Sequence, residues 1–143
     1  MTVEIDRATT EAIYVNTNIE AIYQLLKSHD TWLISKEEQC ICITNEDGLD
    51  AFLAVSGKQI IIESILFAKS QVNNVVQLNE EILKTHQLFP LTTIAITTLE
   101  NEEYYMAFGS LSAQSKPESI FIEIETLFDN MAAFLDAYEL YLA

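Results

Sequence analysis

Few side chains in this sequence have the type and spacing to do chemistry. Cys40 and Cys42 flank Ile41 in "CICIT", so on an extended strand both thiols face one side. A metal there needs further ligands, and the only histidines are His29 and His86, each at the end of a separate helical segment. A C-x-C pair also lacks the ligand spacing of a zinc knuckle. The pattern predicts two core cysteines, with a metal or redox role as the alternative. "NEDGLD" at 45–50 offers oxygens from Asn45, Asp47 and Asp50. An EF-hand calcium loop needs flanking helices and a glutamate at its twelfth position, where this chain has Ser56. Strand-like flanks make the stretch a hairpin turn.

Nucleophilic catalysis needs a base within hydrogen-bond reach of a serine or cysteine. Neither His29 nor His86 sits in such a motif. HExxH, GxSxG and glycine-rich phosphate loops are absent from the sequence. The acidic pairs Glu80-Glu81, Glu102-Glu103 and Glu123-x-Glu125 read as solvated faces. No catalytic residue, metal ligand or cofactor is assigned, and a non-enzymatic protein is expected. The alternative is a small-molecule or metal-binding sensor, or an enzyme, with a pocket between the C-terminal helix and the sheet.

The 143 residues are half hydrophobic, yet carry 22 acids against 7 bases for a net charge of -15. A disordered acidic chain would be poor in apolar residues. This one implies a single folded domain over 1–143 with a negative surface. Such a surface repels nucleic acid and anionic lipid, and favours basic partners. The seven bases are scattered, so nucleic-acid binding is not expected. "MTVEIDRATTEAIYV" lacks the apolar segment of a signal peptide, and "IIIESILFA" is too short to span a bilayer. With only two cysteines, this points to a reduced, cytoplasmic setting and to no direct membrane insertion.

These features need elements to position them. Residues 1–15 read as an extended or loosely ordered lead-in. Thr17 and Glu20 have capping-box spacing ahead of a stripe of Ile19, Ile22, Tyr23 and Leu26, which predicts a helix over 18–28. "TWLIS" is a short strand or a lead-in to one. Strands follow at about 38–44, 50–56 and 59–66, joined by "NEDG" and "SGK". A second helix precedes Pro90, with Val72, Val75, Val76, Asn79, Ile82, Leu83 and His86 on one face. "LTTIAITTL" and "EEYYMAFGS" form a hairpin around Glu100-Asn101. The last stretch alternates at "IFIEIE", but Leu127-Phe128 and Phe134-Leu135 are adjacent apolar pairs that break alternation. A helical stripe from Ile120 through Tyr138 to Leu142, Ser115 and Glu118 at capping-box spacing and Pro117 in the first turn predict a helix over about 120–142. The expected architecture is α+β in the order α-βββ-α-ββ-α, with a five-stranded, mainly antiparallel sheet.

The surplus is apolar. The strand at 59–67 shows Ile60, Ile62 and Leu66 on one face, and Ile61, Ile65 and Phe67 on the other. The strand at 103–109 sets Tyr104, Met106 and Phe108 against Tyr105 and Ala107. A sheet apolar on both faces needs cover on both. Three helices are few for that task. Ile61, Ile65, Phe67, Tyr104, Met106 and Phe108 are therefore the candidate protein-interface residues, for a second copy or another protein. The alternative is that the second helix crosses over and closes that face.

The runs "GKQIIIESILFAKSQV", "FPLTTIAI", "YYMAFGSLSAQS" and "ESIFIEIETLFDNMAAFLDAYELYL" resemble the YjfI family of uncharacterised bacterial proteins, domain of unknown function family 2170. The resemblance covers roughly residues 30–143 and brings no catalytic residues with it. It implies an accessory role, because genes of that family typically neighbour one for a membrane-remodelling protein like phage shock protein A and other envelope-stress genes. The element order, small size and acidity also look like type III secretion chaperones, dimers that bind extended segments of a client. The two likenesses imply a homodimer that holds a basic or amphipathic protein segment.

Overall fold

The computed structural model describes residues 19–142. The lead-in at 1–15 and the Thr17 half of the first capping pair lie outside the described residues. Helix α1 is Ile19–Leu26, α2 is Val75–Thr85 and α3 is Pro117–Ala137. The strands are β1 Leu33–Glu37, β2 Cys40–Thr44, β3 Asp50–Ser56, β4 Gln59–Ala68, β5 Thr93–Leu99 and β6 Glu102–Ser112. They form one antiparallel sheet of six strands in the order β1-β2-β3-β4-β6-β5.

The expected five strands become six because residues 33–37 pair fully with β2, from Leu33↔Thr44 to Glu37↔Cys40. The connection is the two-residue turn Glu38-Gln39, in which Glu38 takes a left-handed φ of 54°. No glycine or asparagine marks it, which is why the sequence hides this hairpin. The other turns carry their signals. Gly48 (φ 80°) and Gly57 (φ 60°) occupy the left-handed positions of the β2–β3 and β3–β4 connections. Asn45 Oδ1 accepts the backbone N–H groups of Asp47 and Leu49, which builds the "NEDG" turn from inside.

The described residues fall into two compact units. One comprises the residues up to Ile62 together with Ser110–Phe121. In it Ile41, Ile43, Ala51 and Leu53 are fully buried, and the register pairs Ile41 with Leu53 and Ile43 with Ala51. Lys36 shares their face through its pairing with Ile41, and it bridges to Glu20 of α1 at 2.7 Å. Helix α1 therefore covers this face and buries Ile19, Ile22 and Leu26.

The other unit comprises Glu63–Gly109 and the residues from Ile122 onward. Helix α2 starts at Asn74, whose side chain caps the Gln77 N–H. Its buried face is Leu78 and Ile82, whereas Val76 and Leu83 are 79% and 80% exposed. The single apolar face expected for this helix is thus split between core and solvent. Helix α3 buries Ile124, Leu127, Phe128, Met131 and Phe134 on the anticipated stripe.

Helix α3 begins with Pro117 at its first position, so Lys116 is the cap and its carbonyl accepts the Ile120 N–H at 3.2 Å. Ser115 stands one residue too early to form the expected capping box with Glu118. The helix also ends before 142. Tyr138 is held by Phe134 and Thr85, and Leu142 bridges to Val72 while Asn73 donates to the Tyr141 carbonyl at 2.7 Å. These tertiary bonds end a stripe that sequence pattern alone would continue.

Candidate functional site

In the second unit the helices lie on one side of β6. Along that strand Tyr105, Ala107 and Gly109 are buried, and Tyr104, Met106 and Phe108 alternate with them on the opposite face. Helix α2 lies on the buried side, where the Tyr105 hydroxyl donates to Asn79 Oδ1. Helix α3 lies on the same side, where Glu123 comes against Gly109. Helix α2 does not cross to the open face. Tyr104, Met106 and Phe108 remain there half-buried, beside Thr97, Ala95 and Thr93 of β5.

Ile65 of β4 is 40% exposed and points away from the buried Ser64. Phe67 is placed differently from simple alternation. It is only 7% exposed and its ring centroid lies 5.0 Å from that of Tyr105, on the helix-covered side. The inside–outside phase of β4 slips between Ser64 and Phe67, so the open face keeps Ile65 and loses Phe67. Ile61 is half-buried and belongs to the other unit.

The first unit also leaves a strand face opposite its helix. Ser35, Glu37, Cys40, Cys42 and Phe52 line a hollow of about 300 Å³ there. The cysteines are half-buried on this face and back onto the core isoleucines, so they sit at the margin of the core and not within it. Among the described residues no cluster of three metal-ligating side chains occurs. His29 lies flat on Trp32, with centroids 3.6 Å apart, and Phe121 completes that aromatic group.

The buried polar side chains Ser64, Thr92, Glu123 and Asn130 escape the sequence reading, and the last two are on α3. Glu123 is only 7% exposed, and burial pushes its carboxyl above the usual carboxylate range. Its Oε1 occupies the space a Cβ on Gly109 would need, and the Leu91 carbonyl oxygen lies 3.2 Å from the same position. The expectation of a solvated Glu123-x-Glu125 pair is corrected for Glu123. Asn130 is equally buried, and its Nδ2 donates to the Pro90 carbonyl at 2.8 Å and to Thr92 Oγ1 at 2.7 Å. It clasps a turn in which Leu91 adopts a φ of 66°. Glu123 and Asn130 are seven residues apart on the buried stripe, a spacing that could have found both.

A cavity of about 260 Å³ lies between α2 and β5, lined by Ile82, Leu83, Ile94, Ile96, Asn79 and Tyr105. This differs from the pocket expected beside the C-terminal helix. The lining is apolar apart from Asn79 and the Tyr105 hydroxyl, which satisfy each other. Nothing here offers a nucleophile with its base.

Residues 13–142 match the family model described as "Uncharacterized protein conserved in bacteria (DUF2170)". The chain belongs to that family. The chain is also similar to "Uncharacterized protein YjfI" of Escherichia coli K12, 30% identical over 122 residues that span 78% of this chain and 92% of the relative. Among solved structures, this DUF2170 chain is similar to YbjN of E. coli, with a TM-score of 0.68 and 15% identity over 88% of this chain and 96% of YbjN. It is also similar to the Yersinia pestis type III secretion chaperone SycH, crystallised with a fragment of YscM2. That likeness has a TM-score of 0.55 and 15% identity over 84% of this chain and 98% of SycH. At such identities the likenesses show a shared α+β fold. No described helix is long and apolar enough to cross a membrane.

Proposed function

We propose that the chain is a non-enzymatic, chaperone-like accessory protein of the cytoplasm that holds a basic or amphipathic segment of a protein partner. It acts as a homodimer, and its work is linked to bacterial envelope stress. The observation that carries this reading is the open face of the second unit. Ile65, Tyr104, Met106 and Phe108 sit on strands whose own unit places both helices on the other side. Half-buried aromatic and methionine side chains of this kind supply contact area for a protein partner. The net charge of -15 would steer a basic partner toward it. The secretion-chaperone fold supports the reading, because SycH is itself seen with a protein partner.

Light scattering on the purified chain, paired with affinity capture from bacterial lysate, tests the proposal. A dimer that retains a protein supports it. A strict monomer that retains none contradicts it.

A further inference from the structure

Among the described residues strand β5 ends the sheet, so one of its edges has no neighbouring strand there. Its pairing with β6 runs unbroken from Thr93↔Phe108 to Leu99↔Glu102, with no bulge. Its sequence, "TIAITTL", holds no charge and no proline. Sheet edges are ordinarily blunted by lysine, proline, a bulge or a cover. Among the described residues this one has a single guard. His86 Nε2 accepts the Ile94 N–H at 3.1 Å, which shows that the Ile94 backbone points outward. Backbone groups alternate along an antiparallel strand, so those of Ile96 and Thr98 point outward too. Among the described residues, neither makes a backbone hydrogen bond outside the strand ladder. The usable edge therefore runs from Ile96 to the hairpin turn.

The apolar cavity between α2 and β5 is lined by Ile94, Ala95 and Ile96 of that strand. Leu83 on α2 is 80% exposed, and Ile96 and Leu99 on β5 are also exposed. The surrounding charge is mainly acidic. Glu80 and Glu81 lie on α2, and Glu100 and Glu102 lie at the hairpin end. The unit's two lysines are already engaged, Lys69 with Glu103 and Lys84 with Glu80. A second copy would bring the same acids to the same edge, and like charges across an interface are costly. A strand flanked by lysine or arginine would meet them favourably.

We propose that an extended segment of a partner protein adds to β5 as a further strand, pairing with Ile96 and Thr98. Alternate apolar side chains of the segment enter the α2–β5 cavity, and its flanking basic residues meet Glu80 and Glu100. This is the β-augmentation mode, in which main-chain bonds give affinity and alternate pockets give specificity. The inference rests on the proposed protein-binding role, and it adds a second contact, at the β5 edge and on the helix-covered side, to the open face of Ile65, Tyr104, Met106 and Phe108.

The test uses the full chain and a labelled synthetic peptide of alternating valine and lysine-flanked threonine, followed by fluorescence anisotropy. Three controls carry the discrimination: the peptide N-methylated at the pairing positions, the same peptide flanked by glutamate, and a scrambled one. The expected result is saturable binding of the first peptide and at least tenfold weaker binding of each control. Leu83→Glu, at an exposed position, and Thr98→Pro, which removes an outward N–H, each weaken it at least tenfold while circular dichroism stays unchanged. His86→Ala frees the Ile94 N–H and tightens binding of a peptide extended by two residues. Binding that survives N-methylation, or that Leu83→Glu and Thr98→Pro leave intact, overturns the proposal. So does a dimer dispersed by Leu83→Glu with no peptide bound, which would give the groove to a second copy. If a lysate partner is still captured by Leu83→Glu and is not displaced by peptide, this site is wrong while the protein-binding role stands.

Discussion

A Cβ on Gly109 would collide with the Glu123 carboxylate, so the two residues depend on each other. Gly109→Ala is expected to destabilise the fold by about 1–3 kcal/mol, the usual cost of overpacking. Chemical denaturation of Gly109→Ala, Glu123→Ala and the double variant measures this, and the double variant should lose less than the sum. The same carboxyl makes stability depend on pH. Burial raises the folded-state pKa of Glu123 above its unfolded value. Below the unfolded value both states hold the proton and the fold loses nothing. As pH rises past it, the unfolded chain releases its proton first and the fold loses stability until the raised pKa is passed. Glu123→Gln should therefore gain on the parent between acidic and neutral pH, read from denaturation midpoints at both. An unchanged difference would show that the carboxyl is well solvated. In the sequence Glu123 looks solvated because the Glu123-x-Glu125 pair has no apolar pocket signature, yet its spacing from Asn130 puts it on the buried stripe of α3.

At the scale of elements, the β5–β6 hairpin turns on Glu100 and Asn101, with φ of 50° and 67°. Two successive left-handed residues suit asparagine and glycine, and glutamate poorly. Glu100→Asn is expected to stabilise the fold by up to about 1 kcal/mol, visible as a raised melting temperature. Asn130→Ala should act oppositely, costing about 1–3 kcal/mol by leaving the buried Thr92 hydroxyl and the Pro90 carbonyl without their donor. Much of this level was legible. The α3 stripe, the glycine turns and the β5–β6 hairpin all follow from local pattern. The β1–β2 hairpin did not, because Glu38-Gln39 carries no turn signal. The division of α2 into a buried Leu78–Ile82 side and an exposed Leu83 side was also invisible. Both sides are apolar, and only tertiary packing decides which is inside. The phase slip that turns Phe67 inward has the same character, since alternation cannot reveal a shift of one residue.

For the whole molecule, composition and fold point the same way. A chain half hydrophobic with a net charge of -15 has apolar contact area beneath a strongly negative field. It belongs to the DUF2170 family, and its α+β fold is similar to that of a secretion chaperone. If the field steers a basic partner, the association rate should fall steeply as salt rises, while dissociation changes little. Stopped-flow mixing with the captured partner would show that split. The measurement that tests the central claim most directly is affinity capture from bacterial lysate by the wild-type chain, by Ile65→Glu, and by an unrelated protein of matched negative charge. A protein retained in stoichiometric amount by the wild type, shed by Ile65→Glu and ignored by the acidic control is the predicted result. Capture no better than that of the acidic control would contradict the account.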